Sequence, residues 1–524
     1  MKKLFVVHPL LFAWFPILAL YSYNVAEVAP SEIVLPTAIM LGWALVSLFL
    51  WGLVLRNLKK AGLIVSAFMI LFFSYGYVAN AVEGWGAIWK VLLPIWGILI
   101  IGSVVFAIKT RRDLHRLTSI LNIAAITLVI IPSINIVVHE VRAASHQIEK
   151  SEIVDTNAVD LGETHTLPDI YYIILDRYAS ASTLEEVYGF DNSEFYDYLS
   201  GKGFYVASES VSNYMKTRSS LASSLNMQHI NYLSEELGEE FTDLGPIYAM
   251  LEDYEVSRFL RAKGYTYLHL GGTFEPTRTN DYADMNITYG ESPEFMVTLF
   301  KSTMLHPVLE DNRLGMWLEE LPAWLISPFV DGRRVDKWEG ILYEFDEVGE
   351  VPAMEEPTFV FAHLFVPHKP YVFDRDGNYV SLEEEEEMGK IAGYVDQLIF
   401  TNKKVMGLID EILSTSEVPP IIILQADEGP WPERYERDEY YFKWEQATDA
   451  ELKQKMRILN AYYLPNVDYE RYLYPSITPV NSFRLVFNLY FDTEFDLLDD
   501  RSYAIHSHKY PYKFLDVTER LRHD

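Results

Sequence analysis

The feature that most constrains this chain is a series of five long apolar segments within its first 140 residues. Each has about the twenty residues that an α-helix needs to cross the hydrocarbon core of a bilayer. They extend approximately over residues 4–23, 33–55, 63–82, 88–108 and 117–138. The first stands where a signal peptide would, but no small-residue cleavage site follows Tyr23 and four further segments come after it. We therefore interpret residues 1–140 as a domain of five retained transmembrane helices.

Charges in the loops predict the orientation of these helices. The N-terminus and the second and fourth loops are basic, with Lys2, Lys3, Arg56, Lys59, Lys60, Lys109, Arg111, Arg112 and Arg116. The other loops are mainly acidic. The positive-inside rule then predicts a cytoplasmic N-terminus, and an odd number of spans predicts a multi-pass protein of the cell membrane whose C-terminal domain is extracytoplasmic. No cluster of ionisable residues lies inside a span, which argues against a transporter and favours a membrane anchor.

The rest of the chain has a different composition. Residues 141–167 are polar and aperiodic, as a linker is, and residues 168–524 are acidic and rich in aromatic residues. The net charge of the whole chain is −31, which disfavours nucleic acid as a partner because its phosphates must be met by Lys and Arg. The sequence has no Cys, so disulfides, thiolate nucleophiles and thiolate zinc sites are excluded.

The C-terminal domain has the pattern of an α/β fold with a mostly parallel central sheet. Apolar runs that suit strands buried on both faces occur at residues 170–175, 358–366 and 421–425, and they alternate with helical stretches that end at glycine. Residues 391–413 predict a long amphipathic helix. Residues 273–355 are weakly patterned, and we interpret them as an inserted subdomain or cap.

Three stretches carry side chains that could bind a metal or take part in catalysis. The strand over 170–175 ends at Asp176, where a carboxylate can bind a metal or simply cap the next turn. Thr217 lies at the start of a predicted helix, where a hydroxyl can cap the helix or, if activated, act as a nucleophile. Asp427 and Glu428 end the strand over 421–425, and a shared cation would relieve their mutual repulsion.

Two histidines follow the same logic. His363 falls inside a predicted strand, and we interpret it as a semi-buried histidine with satisfied hydrogen bonds. His368 lies in the loop after that strand, beside Lys369, and is better placed to bind an anion or to protonate a leaving group.

These pieces occur in an order that resembles a known family. The strand ending in Asp176, the hydroxyl in NYMKTRSS, the loop HKPY and the strand ending in DEGP resemble the sulfatase-like branch of the alkaline phosphatase superfamily. Membrane spans followed by such a domain are similar to lipoteichoic acid synthases and phosphoethanolamine transferases, and the tail pieces NAYYLP and SITPVNSFRLVF are also similar.

The resemblance implies roles for individual residues. Asp176, Asp427 and Glu428 would hold one divalent cation, and Thr217 would be both a ligand and the nucleophile. His368 would bind substrate. Apart from the resemblance, Arg218 or Lys216 stands beside Thr217 and could share the charge of the transition state.

The sequence also departs from the family pattern. Glu428 stands where many members have His, so the implied ligands are all oxygen, which favours Mn²⁺, with Mg²⁺ or Ca²⁺ as alternatives, over Zn²⁺. Arg177 replaces a small or acidic residue, which argues against a second metal.

Three functions remain open at this point. The leading hypothesis is a membrane-anchored, metal-dependent phosphotransferase or phosphodiesterase that acts on a lipid-linked or cell-envelope substrate. The same constellation would serve a sulfate-ester hydrolase. Glu428 and Arg177 also leave open a non-catalytic envelope protein with a degenerate metal site.

Overall fold

The computed structural model describes residues 5–25, 28, 30–81, 89–145, 167–272, 274–290, 294–304, 332–437, 442–507 and 509–522. Their helices are α1 (His8–Tyr23), α2 (Val34–Leu55), α3 (Leu58–Ala81), α4 (Trp89–Lys109), α5 (His115–Ser145), α6 (Ala181–Tyr188), α7 (Ser193–Gly201), α8 (Thr217–Leu225), α9 (Tyr232–Leu237), α10 (Gly245–Glu252), α11 (Glu255–Ala262), α12 (Glu294–Lys301), α13 (Gly332–Glu350), α14 (Leu382–Met388), α15 (Lys390–Thr415), α16 (Glu433–Arg437), α17 (Asp449–Met456), α18 (Ser482–Tyr490) and α19 (Thr518–Arg522). The chain divides into two compact units. One comprises Met1–Gln147 and Glu291–Gly332, and the other comprises Ile148–Gly290 and Arg333–Asp524.

In the described part of the first unit, four helices are long and apolar enough to cross a membrane, over Val34–Leu55, Leu58–Ala79, Leu92–Lys109 and His115–Val138. The fifth predicted span is not confirmed. Its helix, α1, has 16 residues and is therefore about 24 Å long, which is short of the ~30 Å hydrocarbon core. The predicted start at Leu4 lies outside the described residues. Helix α1 packs against α2, α3 and α5 through its buried side chains Phe12, Ala13, Ile17 and Tyr21.

A later piece of the chain returns to this helical unit. Phe295 and Leu299 of α12 are buried in the same apolar cluster as residues of α1 and α3. The backbone N–H of Gly76 donates to the carbonyl of Ser302 at 3.0 Å, and the N–H of Met304 donates to the carbonyl of Phe72 at 3.0 Å. The stretch 273–355, which the sequence predicts as one insert, is thus divided between the two units.

The second unit is built on a seven-stranded sheet with the strand order β2-β7-β6-β1-β5-β3-β4. Strands β6, β1, β5, β3 and β4 are parallel to one another, and β7 and β2 continue the sheet beyond β6 through antiparallel pairs. This agrees with the predicted α/β class. The strands are β1 (Ile170–Leu175), β2 (Tyr205–Val206), β3 (Thr266–Gly271), β4 (Met285–Ile287), β5 (Thr358–Leu364), β6 (Ile421–Gln425) and β7 (Asn460–Tyr463), with β8 (Tyr503–Ile505) and β9 (Phe514–Asp516) in a separate hairpin.

Strand β1 lies at the centre of the sheet because both of its faces are apolar. Ile170, Tyr172 and Ile174 pack into the core on one face. Its alternate residues, Tyr171, Ile173 and Leu175, pack into the core on the other. Burial of each such side chain contributes about 1.5–3 kcal/mol, so the strand is held firmly in place. Its carboxyl end is therefore a rigid support for whatever follows it.

The helices and strands predicted from the sequence are close to those observed. The predicted strands at 170–175 and 421–425 coincide with β1 and β6, and the predicted helix over 391–413 lies within α15. Of the predicted linker, residues 146–166 lie outside the described residues, while α5 continues to Ser145.

Candidate metal centre

Three neighbouring parallel strands bring Asp176, His363 and Asp427 to one edge of the sheet. In the register of the sheet, Ile174 pairs with His363 of β5 on one side and with Gln425 of β6 on the other. Asp176 follows β1, and Asp427 follows β6 by two residues. The carboxyl edge of an open α/β sheet is where such proteins bind ligands.

The donor atoms of these three residues converge without partners. One ligand atom from each lies within 4.8 Å of the others, and all three side chains are buried. Both oxygens of Asp176, Nε2 of His363 and Oδ2 of Asp427 have no hydrogen-bond partner among the described residues. Buried polar atoms are nearly always bonded, so four unsatisfied atoms at one place fit a bound cation.

The structure corrects the interpretation of His363. The side chain is fully buried and not satisfied, because its Nε2 lies 3.5 Å from Oδ2 of Asp176 and has no hydrogen-bond partner. Its other nitrogen, Nδ1, forms a 2.8 Å hydrogen bond with the hydroxyl of Thr277. The sequence shows that His363 belongs to a strand but gives no information about which residues lie beside it.

Thr217 is the first residue of α8, next to this group. Its hydroxyl lies close to the carboxylate of Asp427 and moderates the rise in the pKa of that group. The N-cap of the helix is Lys216, whose side chain makes no capping bond, and the N–H groups of Ser219 and Ser220 donate to its carbonyl. The N–H groups of Thr217 and Arg218, which have no acceptor within the helix, therefore lie at its open end. Burial raises the pKa of Asp427 to about 6, with a further contribution from the negative charge of Asp176.

Arg218 follows Thr217 and borders the same cavity. Its Nε atom is buried and has no hydrogen-bond partner among the described residues. The guanidinium therefore retains a donor for an incoming anion.

Glu428 is buried beside the group but is paired with cations. Its Oε1 lies 2.6 Å from Nζ of Lys455 and 3.3 Å from Nε of Arg177. Lys455 is itself fully buried, donates to the carbonyl of Gly429 at 2.8 Å and lies 3.3 Å from the ring centroid of Trp431. Glu428 is thus the counter-ion of two cations, although its Oε2 has no hydrogen-bond partner among the described residues.

Arg177 acquires a definite role. It has a left-handed backbone with a φ of 61°, a conformation that costs a non-glycine residue roughly 1–2 kcal/mol. Its N–H donates to Oδ1 of Asp427 at 3.1 Å, and its guanidinium reaches Glu428. The strained turn therefore connects the two strand ends and orients their carboxylates.

His368 lies in the loop after β5 and lines a cavity together with Asp176 and Thr217. Its Nδ1 donates to the carbonyl of Lys369, and its own carbonyl accepts hydrogen bonds from Lys337 at 2.5 Å and Gln397 at 2.8 Å. Burial, followed by the charges of Arg177 and Lys337, lowers the pKa of His368 well below 6.5. The imidazole is therefore neutral at neutral pH, with Nε2 as an acceptor.

The site opens into two adjoining cavities. One has a volume of about 240 Å³ and is lined by Asp176, Thr217, Arg218, His368 and Glu428 among others. The other has a volume of about 950 Å³ and shares Arg177, His368, Lys369, Trp431 and Glu436 with the first. There is room beside Thr217 for a phosphoryl group and, next to it, for a larger substituent.

The fold and the site together define an α/β protein with a candidate metal centre and an adjacent hydroxyl at the carboxyl edge of its sheet. No protein-family model matches the sequence, and no curated protein matches it. Solved structures do match.

Three of these structures represent the range of matches. The integral membrane lipooligosaccharide phosphoethanolamine transferase A from Neisseria meningitidis is 12% identical with a TM-score of 0.40, over 92% of this chain and 95% of that chain. The C-terminal periplasmic domain of EcEptC from Escherichia coli is 11% identical with a TM-score of 0.39, over 68% and 94%. A putative sulfatase from Bacteroides fragilis is 12% identical with a TM-score of 0.36, over 63% and 75%. These names agree with the resemblance seen in the sequence, but likeness at this level carries no argument about function, which has to come from the residues of the site.

Proposed function

We propose that the protein is a membrane-anchored, metal-dependent phosphotransferase or phosphodiesterase of the sulfatase-like type that acts on lipid-linked or cell-envelope substrates. The observation that carries the proposal is the convergence of buried, unpartnered ligand atoms from Asp176, His363 and Asp427 beside the hydroxyl of Thr217. A hydroxyl at an open helix N-terminus and next to a cation is the environment that a nucleophile for phosphorus needs.

The residues present fit one divalent cation. Asp176, Asp427 and the hydroxyl of Thr217 would hold it, with a further ligand from Glu428, as the sequence predicts, or from His363. A cation bound there would polarise the phosphoryl oxygens and lower the pKa of the attacking hydroxyl. The carboxylate and hydroxyl oxygens suit Mn²⁺, and Mg²⁺ or Ca²⁺ are the alternatives.

The reaction proceeds in two steps. The Oγ of Thr217, whose proton passes to solvent water, forms a bond to phosphorus while the bond between phosphorus and the leaving oxygen breaks, and the leaving oxygen takes up a proton from His368 or from solvent water. The product of this step is a phosphothreonine. The open N–H groups of α8 and the guanidinium of Arg218 stabilise the charge that develops on the phosphoryl oxygens. In the second step an acceptor hydroxyl, or water, attacks phosphorus and releases Thr217.

His368 serves both steps through its Nε2. Because Nδ1 donates to the carbonyl of Lys369, Nε2 of the neutral ring accepts a hydrogen bond and can take the proton of the acceptor hydroxyl. In the first step of the next turnover, Nε2 gives to the leaving oxygen the proton that it took from the acceptor hydroxyl.

The test is a search for the covalent intermediate. The full-length protein, loaded with Mn²⁺, is incubated with membrane lipids, and the mass of the peptide containing Thr217 is measured. We expect a phosphate-containing adduct in the wild type, none in Thr217→Ala, and at least about a 10³-fold loss of turnover in that variant. Ser223→Ala is the matched control, because the hydroxyl of Ser223 belongs to the same helix and, in the described part of the chain, donates to the carbonyl of Gln228.

Three results would contradict the proposal. Full turnover by metal-loaded Thr217→Ala would remove the nucleophile. Preference for aryl sulfates over phosphodiesters in parallel assays would favour a sulfatase. The absence of a bound divalent cation in the purified protein would favour a non-catalytic envelope protein.

A further inference from the structure

We propose that His363, rather than Glu428, completes the set of metal ligands, and that Thr277 is the positioning residue that holds the imidazole in the binding tautomer. This inference rests on the proposed metal dependence. It replaces an all-oxygen site with a site that contains one nitrogen ligand, a property that spectroscopy can detect directly.

The first argument compares the two candidate ligands. Nε2 of His363 is buried, lies 3.5 Å from Oδ2 of Asp176 and has no hydrogen-bond partner in the described part of the chain. Oε1 of Glu428, by contrast, is shared by Lys455 and Arg177. Oε2 of Glu428 has no partner among the described residues, but Glu428 is not one of the residues whose ligand atoms converge within 4.8 Å. If it turned towards that group, it would leave the fully buried Lys455 without its counter-ion, and an uncompensated buried charge is strongly unfavourable.

The second argument concerns the tautomer of His363. The hydroxyl of Thr277 donates to the carbonyl of Phe274 at 3.4 Å, so its oxygen accepts from Nδ1–H of His363 at 2.8 Å. With the proton on Nδ1, the lone pair of the neutral ring is on Nε2, the atom that faces Asp176. A metal-bound histidine characteristically donates its other N–H in this way, which fixes both its tautomer and its ring orientation.

The third argument is that Thr277 is itself held in place. It ends a short 3₁₀ helix, Glu275–Thr277, and its carbonyl accepts from Nε2 of His269 at 2.8 Å. This turn lies so close to β3 that a Cβ on Gly271 would be 1.8 Å from the carbonyl oxygen of Thr277. Gly271 is also the residue of β3 that pairs with His363. The sheet therefore fixes the ring and its hydrogen-bond acceptor relative to one another.

The hydrogen bonds beyond Thr277 have a consistent direction. The hydroxyl of Tyr254 donates to that of Tyr267 at 2.5 Å, and Tyr267 donates to Nδ1 of His269 at 2.7 Å. His269 then donates through Nε2 to Thr277. Burial lowers the pKa of His269 to about 4, so this ring is also neutral and has one donor and one acceptor.

The experiment measures Mn²⁺ binding by the full-length protein and the nitrogen couplings of the bound ion by pulsed electron paramagnetic resonance. We expect ¹⁴N modulation from one imidazole in the wild type and its loss in His363→Gln. Thr277→Val, which keeps the shape but not the hydroxyl, should weaken Mn²⁺ binding by about 10- to 100-fold. Thr277→Ser should restore affinity to within about threefold of the wild type, since the hydroxyl is present again.

Two further variants complete the design. Thr358→Val is the control, because Thr358 is a buried threonine at the start of β5, the strand that carries His363 near its end. Its hydroxyl bonds, among the described residues, to the carbonyl of Glu356 and the sulfur of Met354. Its Mn²⁺ affinity should equal that of the wild type. Glu428→Gln combined with Lys455→Met removes the buried ion pair as a unit and should retain the ¹⁴N signal.

The outcomes distinguish the role of His363 as a ligand from the metal dependence of the protein. Wild-type protein that binds Mn²⁺ without ¹⁴N modulation, or equal affinities for Thr277→Val and the wild type, would overturn this inference alone. Wild-type protein that binds no divalent cation would overturn the proposed function as well.

Discussion

The buried ion pair between Lys455 and Glu428 gives the sharpest stability prediction. Both side chains are at most 1% exposed, and their charged atoms are 2.6 Å apart. Removing one partner of such a pair typically costs about 3–5 kcal/mol, because the other charge stays buried. Arg177, at 3.3 Å, remains beside Glu428, so we expect Lys455→Met to lower the free energy of unfolding by about 3 kcal/mol, the lower end of this range.

The two single substitutions, Lys455→Met and Glu428→Gln, should lower the free energy of unfolding by different amounts. Burial lowers the pKa of Lys455 to about 8, so in Glu428→Gln the lysine can release its proton at modest cost and keep its bond to the carbonyl of Gly429. We expect about 1–2 kcal/mol for Glu428→Gln. The double variant should regain most of the loss, with a coupling energy of about 2 kcal/mol between the two positions.

The assay is thermal unfolding of the purified full-length protein, followed by near-ultraviolet circular dichroism in one detergent. For a unit of this size about 3 kcal/mol corresponds to a fall in Tm of roughly 5 °C. Arg434→Met is the control, because Arg434 forms a 2.6 Å pair with Glu451 at the surface and exposed pairs contribute at most about 1 kcal/mol. A Tm for Lys455→Met as high as that of the control, together with additive effects in the double variant, would refute the buried pairing.

Three other measurements test separate features. Burial raises the pKa of Glu344 to about 8, so its contribution to stability is fully present below pH ~4.5 and is lost as the pH rises through ~8. In pH-dependent unfolding the wild type should lose on the order of 3–5 kcal/mol of unfolding free energy over that window, and Glu344→Gln should not show this loss. Because the sequence has no Cys, a single cysteine introduced by Ser200→Cys or Asn57→Cys can be labelled specifically. A membrane-impermeant maleimide should modify Ser200→Cys in intact cells and Asn57→Cys only after permeabilisation. The reverse result would refute the predicted orientation. Lys337 holds the carbonyl of His368, so Lys337→Met should lower kcat about 10-fold or more with a smaller change in KM, and an unchanged kcat would show that the loop needs no such support.

The parts of the fold that the sequence predicts are those determined by local pattern. The run Ile170–Leu175 is apolar at every position, which only a strand buried on both faces requires, and it becomes β1. Thr217 follows a polar turn and precedes a run of small residues, and it begins α8. Asp176 and Asp427 meet because both follow central parallel strands that pair with each other. The sequence indicates this only through the apolar runs that mark both strands as buried.

The parts that the sequence does not predict depend on distant neighbours. The role of His363 is set by Thr277, which is 86 positions away, and by the register of two strand pairs. Glu428 is neutralised by Lys455, which is one of two lysines on a short polar helix, and the sequence does not tell which of them is buried. The length of α1 falls short of the predicted span because apolarity continues beyond the residues that are helical.

The return of residues 294–304 to the membrane helices has a consequence for biosynthesis. The apolar cluster of the first unit includes Phe295 and Leu299, which are synthesised about 150 residues after the end of α5. At ribosomal rates of about 5–20 residues per second, roughly 8–30 s pass between the synthesis of α5 and that of these side chains. The surface of α1 and α3 that receives them is exposed during that interval, while the first strands of the second unit are already outside the ribosome. Translation speed over this stretch should therefore affect the yield of folded protein, and a truncated protein that begins after α5 would carry an apolar segment with no partner.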